Sequence, residues 1–260
     1  MAALEPVDGA KRVRQAVPIG PWYTFCVILL RPWLQLLTKR DWRGRANVGR
    51  PGEGLVVAVN HTSWFDPLAS AHFIYDAGRP PRYLGKVAVF NLPLIGRILR
   101  GAGQIPVYRE TREAVTALTA AIAAVEAGEC VAVYPEATIT RDPDLWPMTG
   151  KTGAARISLV TGCPVIPLAV WGAQEVIWPY KREFRILPRK TMHAWAGAPV
   201  DLDDLRGRPL DAETLRLATD RIMAALTGLL EQMRGEPAPA VRFDRRRINE
   251  QKSDPNEGEA

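Results

Sequence analysis

The chain has 260 residues, 47% of them hydrophobic and 24% charged, a balance that excludes a disordered chain and suffices for an α/β domain with a buried core. Its formal net charge of +6 leaves nucleic acid, phospholipid surfaces and phosphorylated small molecules open as anionic partners. Cys26, Cys130 and Cys163, like His61, His72 and His193, are scattered without CxxC or HExxH spacing, so neither a disulfide framework nor a metal or other cofactor is expected.

Residues 1–18 are polar, carry Lys11, Arg12 and Arg14, and read as a flexible N-terminus. Residues 19–45 read as a helical segment. Its apolar run Trp22–Leu30 is interrupted by Arg31 and Pro32, resumes at Trp33–Leu37, and is followed by Lys39, Arg40 and Arg43. No small-residue cleavage site follows it, as a secretory signal requires. A spanning helix needs ~20 mostly apolar residues, and Arg31 lies near the middle of this one. Aromatic residues with flanking cations predict a kinked helix lying in a membrane interface, with Arg31, Lys39 and Arg40 meeting anionic lipid. A helix packed on the protein's own core is the alternative.

A domain is expected over 46–235. The β-branched run ending at Val59 predicts a buried strand, and Asp66-Pro67 resembles a helix N-cap with proline at the first helical position, with Gly78 as the stop. The alanine-rich stretch from Thr111 to Ala127 has helical spacing and ends at Gly128. Cys130–Tyr134 predicts a second strand, Lys151–Thr161 a short helix, and Val165–Trp171 a third strand, in which Pro167 suggests an edge or a bulge. A fourth strand is expected around Met192–Trp195. Asp211 opens a last helix with Leu215, Ala218, Ile222, Leu226, Leu229 and Met233 on one side, ended by Gly235. Residues 236–260 read as a disordered tail. Strands alternating with helices predict an α/β fold, a mixed sheet flanked by helices and preceded by the N-terminal membrane-interfacial helical segment.

Two motif matches carry little, and a third motif is missing. Gly150-Lys151-Thr152 has the end of a P-loop, but Leu145 stands where its first glycine belongs. Asn60-His61-Thr62 fits a glycosylation acceptor with no sign of secretion beside it. No G-x-S-x-G elbow supplies a serine nucleophile.

The block Asn60-His61-Thr62-Ser63-Trp64-Phe65-Asp66 follows directly on a predicted strand, where α/β folds place functional residues. Histidine is the side chain best suited to exchange protons near neutral pH. An aspartate five residues on, across a strand-to-helix turn, can bind one ring nitrogen and leave the other to deprotonate an alcohol. Alone, such a pair can equally be a helix cap beside a packed histidine.

With its companions, the block resembles the glycerolipid acyltransferase family, whose members act on glycerol 3-phosphate or lysophosphatidic acid. NHxSxxD is present as Asn60, His61, Ser63 and Asp66. A second block is matched by Gly103–Arg109, preceded by Lys86, Pro93 and Gly96. The third, usually aromatic-Pro-Glu-Gly-Thr, is Tyr134-Pro135-Glu136-Ala137-Thr138, and the fourth is Val165–Ala169. The resemblance implies His61 as general base and Asp66 as its orienting partner. It implies Arg109 as a ligand for the acceptor's phosphate, Glu136 and Thr138 as shaping the acceptor site, and Lys86 as added positive charge. Ala137 departs from the family glycine, and φ > 0 there would cost ~1–2 kcal/mol. Ile139 replaces the usual arginine, and Arg141 is the expected substitute.

What the resemblance implies is an O-acyltransferase, using acyl-CoA or acyl carrier protein as co-substrate, at the cytoplasmic face of the cell membrane. The expected acceptor is a lysophospholipid, 1-acyl-sn-glycerol-3-phosphate before glycerol 3-phosphate by analogy with short chains lacking an extra domain. The anionic membrane surface is the expected partner, and no nucleic acid is, since no recognition motif accompanies the charge. A non-catalytic basic membrane-docking protein is the alternative, but it leaves the Asn60–Asp66 block without a purpose.

Overall fold

A computed structural model describes residues 19–49, 52–107, 113–181 and 183–244. In chain order its elements are α1 (Pro21–Leu37), β1 (Thr38–Arg43), β2 (Leu55–Val59), α2 (Asp66–Asp76), β3 (Pro81–Lys86), α3 (Val87–Phe90), α4 (Pro93–Gly101) and β4 (Ile105–Val107). There follow α5 (Glu113–Glu126), β5 (Cys130–Val133), α6 (Gly153–Thr161), β6 (Val165–Trp171), α7 (Ala173–Val176), β7 (Lys190–Ala196) and α8 (Ala212–Arg234). The strands form one seven-stranded sheet in the order β1-β7-β6-β2-β5-β3-β4, mixed because β6 and β7 run antiparallel while the other neighbours are parallel.

β2 lies at the centre, and all five of its residues are buried, as an uninterrupted Leu-Val-Val-Ala-Val run covered on both faces requires. Its side chains alternate between two cores. Leu55, Val57 and Val59 join Phe65, Phe73 and Ile74 of the α2 side. Val56 and Ala58 join Ala121 of α5, Ile157 of α6 and Ile222 of α8. Fully burying a Val or Leu side chain contributes ~1.5–3 kcal/mol, so this strand anchors both layers. The helix after β2 therefore covers one face, and the helix after its parallel neighbour β5 covers the other. Between the carboxyl ends of two such strands a crevice opens, the usual place for a site in open α/β sheets.

Several expectations need correction. The helical segment expected over 19–45 ends at Leu37, and Thr38–Arg43 form an edge strand parallel to β7. Charges that suggested a cationic helix end are the outward residues of that strand. Arg31 does not point at lipid: its guanidinium reaches Asp76 of α2 at 3.0 Å, beside the stacked rings of Tyr23 and Tyr75. The outward face of α1 instead carries Trp22, Phe25, Leu29, Trp33 and Leu36, all exposed. α1 thus turns its charge inward and its bulk apolar residues outward.

Pro167 is on an interior strand, paired with Ala58 of β2. The ladder to β7 starts only at Leu168↔Ala196, so the missing N–H falls where that ladder has ended, while the Pro167 carbonyl still accepts from Gly197 N at 2.9 Å. Of the tail expected over 236–260, residues 236–244 lie against the domain: Ala238 N donates to Glu231 Oε1 at 2.9 Å and Thr149 N to the Phe243 carbonyl at 3.1 Å. Residues 245–260 and the N-terminal stretch 1–18 lie outside the described residues. The last helix agrees with its sequence signals: Asp211 accepts from Thr214 N at 2.8 Å as N-cap, and Gly235 closes it at φ 71°.

Candidate active site

The turn after β2 is fixed at both ends. Asn60 extends the sheet by one residue with its side chain, donating to the Val170 carbonyl at 3.0 Å and accepting from Val170 N at 2.7 Å. Being buried in this exchange, it is no glycosylation acceptor. Ser63 Oγ donates to the Ile177 carbonyl at 2.7 Å and accepts from Phe65 N at 3.0 Å.

Asp66 was expected to cap α2, but Phe65 is the N-cap residue and Asp66 is the first residue of the helix. Its fully buried carboxylate turns back into the turn instead. Oδ2 accepts from Thr62 N at 2.6 Å, Ser63 N at 2.6 Å and His61 Nδ1 at 2.9 Å, and Oδ1 accepts from Thr62 Oγ1 at 3.3 Å. Two backbone amides and a helix N-terminus hold the anion, and an ionised carboxylate can only accept. His61 Nδ1 must therefore carry the proton, and Nε2 has the lone pair.

The loop after β5 holds the same turn from the other side. Glu136 is buried; Oε1 accepts from the His61 peptide N–H at 3.0 Å and Oε2 from Met148 N at 3.0 Å. Thr140 N donates to the His61 carbonyl at 2.7 Å. Both backbone groups of His61 are thus taken by one loop. Burial raises the Glu136 pKa to about 8, against the opposing pull of its two amide bonds.

Sequence reasoning named Tyr134 only as a motif letter. Its ring stacks on His61, centroids 4.3 Å apart at 28°, with Tyr83 stacked behind at 6.0 Å. Ser70 Oγ donates to the Asp66 carbonyl at 2.7 Å, so the hydroxyls of Tyr83, at 2.7 Å, and Tyr134, at 3.0 Å, must donate to Ser70. Burial pushes both phenols well above their usual range and keeps them neutral. The aromatic residue before Pro135 was the available signal for this support.

The remaining predicted residues scatter more widely. Thr138 is partly exposed two residues beyond Glu136. Arg141 is exposed, its guanidinium 4.7 Å from the Tyr180 ring centroid. Lys86 is the exposed last residue of β3, two strands from β2. Arg109 lies outside the described residues.

A second His–Asp pair shows what sets the first apart. His193 Nδ1, on β7, lies 2.8 Å from Asp41 Oδ2 on the edge strand β1. Burial alone would raise the Asp41 pKa, but bonds from His193, Trp195 and Arg43 lower it. Asp41 shares its charge among these side chains and has no cradle of turn amides. His72 is buried against Trp42, and burial lowers its pKa to about 4, so it is neutral near pH 7.

Ala137 adopts φ 56°, the left-handed conformation that favours glycine. Ala137→Gly is expected to raise stability by about 1 kcal/mol, the Cβ strain relieved less the entropy glycine adds to the unfolded chain. Chemical denaturation of the two proteins measures it; a variant less stable than the parent contradicts the strain.

A family model described as Acyltransferase matches residues 39–171, just over half of the chain. The chain is 29% identical over 140 residues to a chloroplastic 1-acyl-sn-glycerol-3-phosphate acyltransferase of Brassica napus, covering 54% of this chain and 39% of that protein. It is 28% identical over 122 residues to a 1-acyl-sn-glycerol-3-phosphate acyltransferase of Borreliella burgdorferi, covering 46% and 47%. The match spans less than half the length of each of these relatives. The crystal structure of the 1-acyl-sn-glycerophosphate acyltransferase PlsC from Thermotoga maritima shares the fold at a TM-score of 0.61 and 20% identity, covering 84% of this chain and 80% of that one.

Proposed function

The chain belongs to the acyltransferase family, and from that membership we propose that it acylates a hydroxyl of a glycerol-phosphate lipid, with His61 as general base. One observation carries the reading: His61 has Nδ1 bound by a caged carboxylate and its peptide clamped, at the carboxyl end of the central strand. Among the described residues no serine or cysteine side chain bonds to the ring, so the nucleophile belongs to the substrate. Nε2 takes the proton of the acceptor hydroxyl as its oxygen attacks the thioester carbonyl. The C–S bond breaks, the ester forms, and the leaving thiolate takes the proton from the imidazolium. Asp66 stabilises that imidazolium without being protonated itself. No metal or other cofactor takes part; acyl-CoA or acyl carrier protein is the co-substrate.

The acceptor in this reading is 1-acyl-sn-glycerol-3-phosphate, which gives phosphatidic acid. Arg109 and Arg141 are the ligands assigned to its phosphate in this reading, Lys86 adds positive charge, and the Glu136–Thr138 loop shapes the pocket. Glu136 does so from below, by holding the His61 turn. The enzyme sits peripherally or monotopically on the cytoplasmic face of the membrane, with the outward stripe of α1 in the lipid interface. No helix among the described residues is long and apolar enough to cross a bilayer.

A transfer assay over a panel of lysophospholipids and glycerol 3-phosphate tests the assignment. A charged hydrogen bond to phosphate contributes ~1.5–3 kcal/mol, so Arg109→Ala and Arg141→Ala should each raise the acceptor KM about ten- to a hundredfold. The donor KM should stay put, and lysine should rescue position 109 only in part. If neither arginine matters to the acceptor KM, the acceptor bears no phosphate.

A further inference from the structure

The connection from α7 to β7, described at residues 177–181 and 183–189, is anchored at both ends yet turns three bulky apolar side chains outward. Ile177 and Phe184 form a bridge, Arg185 N donates to the Val176 carbonyl at 2.7 Å, and Ile186 packs on the core of the sheet's α2 side. At one end Ser63 Oγ binds the Ile177 carbonyl and Tyr180 OH donates to the Ile139 carbonyl at 2.6 Å. At the other, Arg189 Nη2 donates to the carbonyls of Gln35 at 3.0 Å and Thr38 at 2.9 Å, closing the last turn of α1. Against this fixed backbone Trp178 is 45% exposed, Phe184 61% and Leu187 75%. Such burial would ordinarily be worth ~1.5–3 kcal/mol per side chain, and the molecule forgoes it three times in a short stretch.

We propose that this stretch, through its described residues 177–181 and 183–189, is a second element that seats the protein on an anionic bilayer. Trp178, Phe184 and Leu187 enter the interfacial region, while Lys181 and Arg185 meet lipid phosphates. The proposal rests on the reading that the protein works at a membrane. Charge complementarity favours this occupant: Lys181, Arg185 and Arg189, with Lys190 next in the chain, are opposed among the described residues of the stretch only by Glu183, which pairs with Arg185 at the exposed surface. An exposed pair of that kind gives way readily to competing phosphate. Aromatic and aliphatic residues flanked by cations are what an interface selects. Continuity favours it too. The Arg189 bonds join the stretch to α1 beside the exposed Trp33 and Leu36, and the Ser63 bond joins it to the turn carrying the exposed Trp64. Exposed apolar side chains are thus carried by three linked pieces of chain: α1, this stretch and the turn that holds His61. A lysolipid lying in the leaflet would reach His61 without first leaving the membrane.

The test compares the full chain with Phe184→Ser/Leu187→Ser, with Lys181→Glu, and with the α1 variant Trp33→Ser/Leu36→Ser. The probes are vesicles of phosphatidylcholine alone or mixed with phosphatidylglycerol, and near-UV circular dichroism confirms that each protein is folded. Phe184→Ser/Leu187→Ser should lower partition onto the mixed vesicles at least ~10-fold. Its transfer to an acceptor embedded in them should fall in step, and transfer to a short-chain lysophosphatidic acid below its critical micelle concentration should be unchanged. Lys181→Glu should lose the preference for phosphatidylglycerol. If only the α1 variant is released from vesicles, α1 alone meets the membrane and this proposal falls while the interfacial reading stands. If no variant is released, both fall. If vesicle binding persists but transfer from an acyl carrier protein thioester, and not from the CoA thioester, drops, the surface docks the donor protein and the proposal is overturned.

Discussion

His61→Ala is expected to lower turnover by at least ~10²-fold, the usual size of a general-base contribution, with the thermal midpoint nearly unchanged. The fold should survive because the turn is held by groups that alanine keeps: the peptide N–H to Glu136, the carbonyl from Thr140 N, and the amides of Thr62 and Ser63 on Asp66. Asp66→Asn is expected to do comparable damage by a different route. Its amide can offer one oxygen to the Thr62 and Ser63 amides and its NH2 to the Thr62 hydroxyl, but it brings no charge to the imidazolium. Both variants should leave the acceptor KM within a few-fold, since neither group is assigned to binding. Steady-state kinetics on folded protein decides it. Near-normal turnover in His61→Ala would end the mechanism.

The centre of the sheet was legible because it is buried on both faces. β2, β5 and β6 are short runs of β-branched and small apolar residues, and burial on two sides leaves no polar positions to blur them. The edges were not. β1 buries Thr38 and Trp42 and exposes Lys39 and Arg40, so its sequence resembles a charged linker. β4 is three residues long and contains Pro106, so only the family resemblance of Gly103–Arg109, and no periodicity, pointed to a strand there. The direction in which a side chain points across a tertiary contact was equally invisible. Arg31 reads as a lipid-facing cation until Asp76, 45 residues away, is placed beneath it. The candidate site divides in the same way. The His61–Asp66 pair is local, five residues apart across one turn, and its spacing carries the information. The clamp from Glu136 and the stack on Tyr134 join His61 to residues 75 and 73 positions away in the chain. Only the adjacency of β2 and β5 brings them together.

Glu136 shows how far such a distant residue reaches into the chemistry. Glu136→Ala removes the acceptor for two buried amides, His61 N and Met148 N. Leaving each unsatisfied costs ~1–3 kcal/mol, so the loss of stability should be about 2–6 kcal/mol. In whatever folds, turnover should fall by an order of magnitude or more while the acceptor KM stays nearly constant, because the side chain positions His61 and does not touch the acceptor. A rise in KM with turnover intact would make Glu136 a substrate ligand instead. Glu136→Gln keeps one acceptor and turns an NH2 on the other amide, so it should lie between parent and alanine at neutral pH. Its pH dependence separates the charge from the shape. Burial raises the Glu136 pKa from 4.5 to about 8 in the folded protein. Between those values the unfolded chain releases the proton and the folded one keeps it. This carboxyl therefore lowers stability as pH rises, by up to roughly 1 kcal/mol per pH unit, and its effect levels off above about 8. Glu136→Gln should remove that slope from the stability profile between pH 5 and 8. An unchanged profile would mean that the two amide bonds outweigh burial and hold the carboxylate ionised throughout.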